Sequence, residues 1–171
     1  DSFDGLKIVH FSDLHYLRIT NKETTQSIIE EINLLNPDIV VFTGDLIDKD
    51  YKPNDKDISN LKELLTSIKS KYGKYSVLGE HDIKVEDTIK DIYISSNFTL
   101  LDNSYDVIYG NNNNKLFIGG LNNNPDIDKV MNYFTENEDI NYKIILVHEP
   151  DYTDTITSKY NNINLVLAGH S

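Results

Sequence analysis

Short apolar runs alternate with stretches of helical periodicity along this chain of 171 residues. Residues 6–11 form the first apolar run, bounded by Gly5 and Ser12 as a buried strand should be. Ile28, Ile29, Ile32 and Leu35 then recur at helical spacing until Pro37 ends the pattern. Ile39–Phe42 is a β-branched run closed by Thr43 and Gly44, a second buried strand. Residues 50–57 are polar and hold Pro53, so they read as a surface loop. Ile58, Leu61, Leu64, Leu65 and Ile68 mark an amphipathic helix that stops before Gly73. Residues 75–78 make a third strand, ended by Gly79.

The second half repeats the theme. A weaker helical pattern covers residues 85–93. Strand-like runs at 105–109 and 116–118 are joined through Asn111, Asn112, Asn113 and Asn114; asparagine tolerates turn conformations, so this is a hairpin. Residues 126–134 predict a helix, 143–147 a strand, 153–160 a short helix and Leu165–Ala168 the last strand. Alternating strands and helices imply an α/β fold, with antiparallel character added by the hairpin. No repeat or linker divides the chain, so residues 1–171 read as a single domain.

Polar motifs punctuate the strand ends. Asp13-Leu14-His15, Gly44-Asp45-Leu46-Ile47-Asp48, Gly79-Glu80-His81-Asp82, His148-Glu149 and Gly169-His170-Ser171 each follow an apolar run. In open α/β sheets this edge is where ligands collect. Four of the five histidines lie in these segments, while His10 sits inside the first strand and reads as structural. Imidazoles mixed with carboxylates suit divalent transition metals, and this set is large enough for two ions.

Each motif has its own chemistry. Asp13 and His15 are two residues apart, so in extended backbone both side chains point to one side and can grip one ion. Asp45 follows a glycine that frees the chain to turn, and its two oxygens can bridge two metals. Asp48 is also a good helix N-cap, its structural alternative. His81 suits a proton donor, held in one tautomer by Asp48 or Asp82.

Composition narrows the field. With no cysteine, any metal must be held by nitrogen and oxygen. Lysine and arginine number 16 against 28 aspartates and glutamates, a net charge of −12. General attraction to nucleic acid is therefore not expected, and a phosphate site would draw its positive charge from bound metal. No apolar stretch approaches the length of a membrane span, and no secretory signal pattern is present. The chain begins at Asp1, which reads as a processed or trimmed form.

In order and spacing these segments resemble the calcineurin-like metallophosphoesterases, whose blocks run D-x-H, G-D-x-x-D, G-N-H-D/E, H and G-H-x-H. The resemblance spans almost the whole chain, and residues 11–15, 41–48 and 146–151 look most like a bacterial branch that often carries an N-terminal membrane segment. It implies a four-layer fold, a sandwich of two β-sheets flanked by helices. It also implies two divalent ions (manganese, iron or zinc): Asp13 and His15 on the first, Asp45 bridging, His148 and His170 on the second. His81 would be the general acid, oriented by Asp48, and a hydroxide activated between the metals would attack phosphorus in line. The implied substrate is a phosphate mono- or diester, with a lipid-linked pyrophosphate suggested by the membrane-associated branch. The implied setting is bacterial, cytoplasmic or held at a membrane through a segment outside this chain.

Two departures stand out. Glu80 occupies the place of the family asparagine, which the resemblance implies would face metal and substrate together with His81. A glutamate keeps a ligand oxygen but has no donor for a phosphate oxygen, and it adds negative charge. Lowered activity or altered metal and substrate choice is expected. The chain also stops at Ser171, where the family places another metal-binding histidine. The expectation is a fragment lacking the C-terminal part of its domain, binding metal incompletely and turning over poorly. The competing reading is a catalytically weak or inactive metal-binding module derived from such an enzyme.

Overall fold

A computed structural model describes residues 3–135, Ile140 and 142–170. Two four-stranded sheets stack face to face. The first contains β1 (Ile8–Phe11), β2 (Ile39–Phe42), β3 (Gly73–Ser76) and β4 (Phe98–Leu100), in that order and all parallel. The second contains β5 (Ser104–Tyr109), β6 (Lys115–Gly120), β7 (Tyr142–Val147) and β8 (Leu165–Ala168). There β5 and β6 form the antiparallel hairpin, and the remaining pairs are parallel.

Alternation along each strand builds the layers. Ile39, Val41, Tyr75 and Val77 face inward and meet Ile108, Leu116, Ile118, Ile144 and Leu146 between the sheets. Their neighbours Val40 and Phe42 face outward, against α1 (Lys22–Leu34), α2 (Asp55–Thr66) and α3 (Glu86–Ser95). On the far side Phe117, Ile145 and Val147 pack on α4 (Ile127–Met131) and α5 (Tyr152–Lys159). Both sheets are thus covered on both faces, and the four layers follow. Each fully buried aliphatic or aromatic side chain contributes about 1.5–3 kcal/mol by leaving water.

The differences from the sequence reading are local. The polar stretch after residue 50 is a loop only as far as Asn54. There a capping box forms: Asn54 Oδ1 accepts the Asp57 N–H at 2.8 Å, and Asp57 Oδ2 accepts the Asn54 N–H at 3.0 Å. Helix α2 therefore starts three residues before its first apolar position. Strand β3 pairs two residues earlier than its apolar run, and β4 went unpredicted because three residues are too few for a period. The helix expected at 126–134 passes after Met131 into a 3-10 turn, Asn132–Thr135. A 3-10 turn, Asp82–Val85, likewise precedes α3.

Lys74 is a charged residue inside this core, 6% exposed, and its Nζ donates to the Leu65 carbonyl in the last turn of α2 at 2.8 Å. Among the described residues no helix is long and apolar enough to cross a membrane.

Candidate metal centre

All five motifs sit on loops leaving the C-terminal ends of strands: β1 delivers Asp13 and His15, β2 Asp45 and Asp48, β3 Glu80 and His81, β7 His148, and β8 His170. Four of these residues adopt left-handed backbone: Asp13 (φ 56), His15 (φ 42), Asp45 (φ 59) and His170 (φ 56). Such conformations cost about 1 kcal/mol or more each and cluster at functional sites. Here they turn side chains off the strand ends and over the sheet edge.

Glycines let the loops meet. Gly44 has φ 99, and a Cβ there would lie 2.5 Å from the Gly79 nitrogen. A Cβ on Gly79 would lie 2.3 Å from Asp45 Oδ1. Neither position has room for a side chain. Asp82 locks the junction from beneath: its buried carboxylate accepts the N–H groups of Asp45 (2.9 Å), Leu46 (3.0 Å) and Gly79 (2.8 Å). Burial raises the Asp82 pKa to about 6, against the lowering effect of those N–H groups.

Asp45 is the hub. Its Oδ2 lies 3.2 Å from His148 Nε2, 3.3 Å from His81 Nδ1 and 3.9 Å from His15 Nε2. Its Oδ1 accepts the His81 N–H at 3.1 Å. Two groups of donors emerge, each with its ligand atoms within 4.8 Å of one another: Asp13, Asp45, His148 and His170, and His15, Asp45 and His81. Asp45 belongs to both. Asp13 Oδ1 is 3.7 Å from His15 Nε2, while Asp13 Oδ2 accepts the His170 N–H at 2.9 Å and so leans toward the β8 loop. The resemblance paired Asp13 with His15; in the structure Asp13 groups with His148 and His170, and His15 with His81.

The donor set fits divalent cations. Asp45 Oδ2, His148 Nε2 and His81 Nδ1 are shielded from solvent and make no hydrogen bond. Buried polar atoms without partners are costly, and a cation in the group of Asp13, Asp45, His148 and His170 would satisfy Asp45 Oδ2 and His148 Nε2. The tautomer of His148 fits as well. Its Nδ1 lies 2.7 Å from the Thr43 carbonyl, which can only accept, so in the neutral ring the proton stays on Nδ1 and the Nε2 lone pair faces Asp45. Burial disfavours charge on His148, but Asp45, the Thr43 carbonyl and Asp13 outweigh it and push the imidazole up to about 9. Burial likewise works against the Asp45 charge, and His148 and His81 outweigh it, holding the carboxyl below its ordinary value.

The remaining predicted residues lie around this hub. Glu80 Oε1 is 3.4 Å from His81 Nε2 and 3.7 Å from His170 Nδ1, between the two groups but in neither. Asp48 is buried, and its Oδ1 lies 3.3 Å from His15 Nδ1. That is not the His81 pairing expected of it; the charge contacts of His81 among the described residues are Asp45 and Glu80. The cause is a short bridge between the β1 and β2 loops, Tyr16 with Ile47, which carries Asp48 toward His15. The N-cap alternative for Asp48 does not hold, since Asn54 caps α2. His10 lies outside both groups, its Nε2 2.8 Å from Thr43 Oγ1. Ser171 lies outside the described residues.

The match of motif to geometry has a counterpart among known proteins: the family model for calcineurin-like phosphoesterases matches residues 6–171. The chain belongs to that family. It is 33% identical over 177 residues to the uncharacterized metallophosphoesterase YkuE of Bacillus subtilis, covering 99% of this chain and 59% of YkuE. It is 36% identical over 78 residues to the UDP-2,3-diacylglucosamine pyrophosphatase LpxG of Chlamydia muridarum, covering 46% of this chain and 23% of LpxG. The chain thus spans less than two thirds of either relative. Its fold is similar to that of the calcineurin-like phosphoesterase YfkN from Bacillus subtilis, with a TM-score of 0.61, 16% identity and coverage of 96% of this chain and 71% of that one.

Three contributors to this phosphoesterase-family site were missed from sequence. Thr43 was read only as a strand end, although it stands beside the G-D motif. Asp82 was considered as a partner for His81, whereas its carboxylate holds backbone. Arg18, the only arginine of the chain, whose Nη1 lies 3.6 Å from Asp48 Oδ1, gave no motif. Its position five residues after Asp13 was the available signal.

Proposed function

We propose that this chain hydrolyses phosphate mono- or diesters with two divalent cations held by Asp13, His15, Asp45, His148 and His170. The observation that carries this is Asp45: one buried carboxylate, 1% exposed at its side chain, faced by three imidazoles through a single oxygen. No purely structural role explains so many uncommitted donors around one acid. Cations bound there would activate a water and neutralise charge on the phosphoryl oxygens.

The chain's own residues would do the rest. His81 stands at the rim, with Nε2 toward the exposed Glu80, and is the proton donor to the leaving oxygen. Asp48, held below the ordinary carboxylate range by the Asp50 N–H, Arg18 and His15 against the effect of burial, keeps the His15 ring turned with Nε2 to the centre. Thr43 does the same for His148. The name of LpxG, a UDP-2,3-diacylglucosamine pyrophosphatase, supports a lipid-linked pyrophosphate as the substrate class of the whole protein.

Glu80 favours a second reading, a metal-binding module with little or no turnover, because a carboxylate beside the phosphate repels it. A manganese-supplemented assay with p-nitrophenyl phosphate and bis-p-nitrophenyl phosphate separates the two. Release of nitrophenol that is lost in His81→Ala with metal content retained supports the hydrolase. Bound manganese with no cleavage of either ester supports the module.

A further inference from the structure

The charges around the centre are lopsided. On the β3 and β7 side stand two carboxylates, Glu80 and Glu149, flanking the His170 ring at 3.7 Å and 3.5 Å. On the loop after β1, beside Asp48 and Asp50, stands Arg18, the chain's single arginine. Its guanidinium is 54% exposed, and Nη1 lies 3.6 Å from both Asp48 Oδ1 and Asp50 Oδ2, longer than a hydrogen bond. The backbone beneath it is fixed: Arg18 N–H donates to the His15 carbonyl at 3.1 Å, Leu17 N–H to the Thr20 carbonyl at 2.9 Å, and Thr20 Oγ1 to the Leu14 carbonyl at 2.8 Å. A loosely paired guanidinium therefore rides on an anchored turn, one carboxylate away from His15.

We propose that Arg18 is a specificity-determining residue that receives a second phosphoryl group, selecting diphosphate esters over esters with one phosphorus. This deepens the phosphoesterase reading above and rests on it. A diphosphate places one phosphoryl group at the centre and a second charge a few ångströms away. Glu80 and Glu149 repel that charge from their side, and Glu80 offers no donor in its place. On the loop after β1, Arg18 exchanges two long contacts for a two-pronged, charge-assisted pair, the geometry a guanidinium makes best with phosphate. The substrate is thereby oriented with its remote phosphoryl group toward the β1 loop.

The test uses ADP-ribose as the diphosphate diester and bis-p-nitrophenyl phosphate as the single-phosphorus diester, both with manganese. Arg18→Ala should lower kcat/KM for ADP-ribose about thirtyfold more than for bis-p-nitrophenyl phosphate, with Arg18→Lys between, because lysine keeps the charge and loses the fork. Equal losses on the two substrates, or none on ADP-ribose, overturn the proposal. Binding of ADP-ribose to manganese-loaded His81→Ala, with and without Arg18→Ala, reads the same contact without turnover. A Kd weakened at least tenfold by losing Arg18 upholds it; an unchanged Kd, or no binding by either protein, overturns it. If neither diester is cleaved by the unaltered protein, the hydrolytic reading fails while this binding comparison still decides the role of Arg18.

Discussion

The Asp82 carboxylate accepts the backbone N–H of Asp45 at 2.9 Å, so one buried acid fixes the peptide that carries another. The same carboxylate takes the N–H groups of Leu46 and Gly79, joining the β2 and β3 loops at the point where the two candidate metal-binding groups meet. The centre is thus built on a backbone clamp as much as on its ligands.

Removing the clamp strands three buried N–H groups. Asp82→Ala should cost about 3 kcal/mol of stability or more, measured by urea unfolding. A loss under about 0.5 kcal/mol would show that the loops hold without it.

Close packing at Gly79 makes a sharper prediction. An alanine methyl would fall 2.3 Å from Asp45 Oδ1 and 2.4 Å from the Asp45 nitrogen, so the shared carboxylate must move. Gly79→Ala should weaken manganese binding at least tenfold by calorimetry while the chain stays folded by circular dichroism. Unaltered affinity would mean that Asp45 is not placed by this contact.

Lys74 gives a pH signature remote from the centre. Burial lowers its pKa from 10.5 to about 8. Below about pH 8 both states carry the proton, and the cost of the buried ammonium is fully present. Between about 8 and 10.5 the unfolded chain holds more protons than the native one, so stability rises with pH, by up to about 3 kcal/mol. Lys74→Met should abolish that rise in urea titrations at pH 8 and pH 10. A rise of the same size in both proteins would assign it to other groups.

Glu80 stands where the resemblance implies an asparagine. Glu80→Asn removes a charge 3.4 Å from His81 Nε2 and supplies an amide donor. Turnover of p-nitrophenyl phosphate should increase several-fold. An equal or slower rate would show that the carboxylate serves the reaction here.

Much of this was legible in the sequence because the strongest signals are local. Ile39–Phe42 and Leu165–Ala168 are strands in the structure with the limits their apolar runs suggested. The motifs fell at strand ends, so the sheet edge followed once the strands were parallel. Pairing between motifs was harder to read. Asp48 lies three residues after Asp45 in the chain, yet which histidine it meets depends on the Tyr16–Ile47 bridge, a contact without a sequence pattern. Thr43 acts through its carbonyl, which every residue possesses. Asp82 holds peptide N–H groups, and its neighbour His81 drew attention from it. β4 and the start of α2 were hidden for a different reason: three residues show no period, and a cap precedes the apolar positions it serves.

The central claim is that Asp45 is shared between two cations. Anomalous diffraction at the manganese edge, from crystals grown with excess manganese, addresses it directly. Two peaks about 3.5–4 Å apart, both within coordinating distance of the Asp45 carboxylate, are the expected result. A single peak, or two peaks of which one has no contact with Asp45, would contradict the claim.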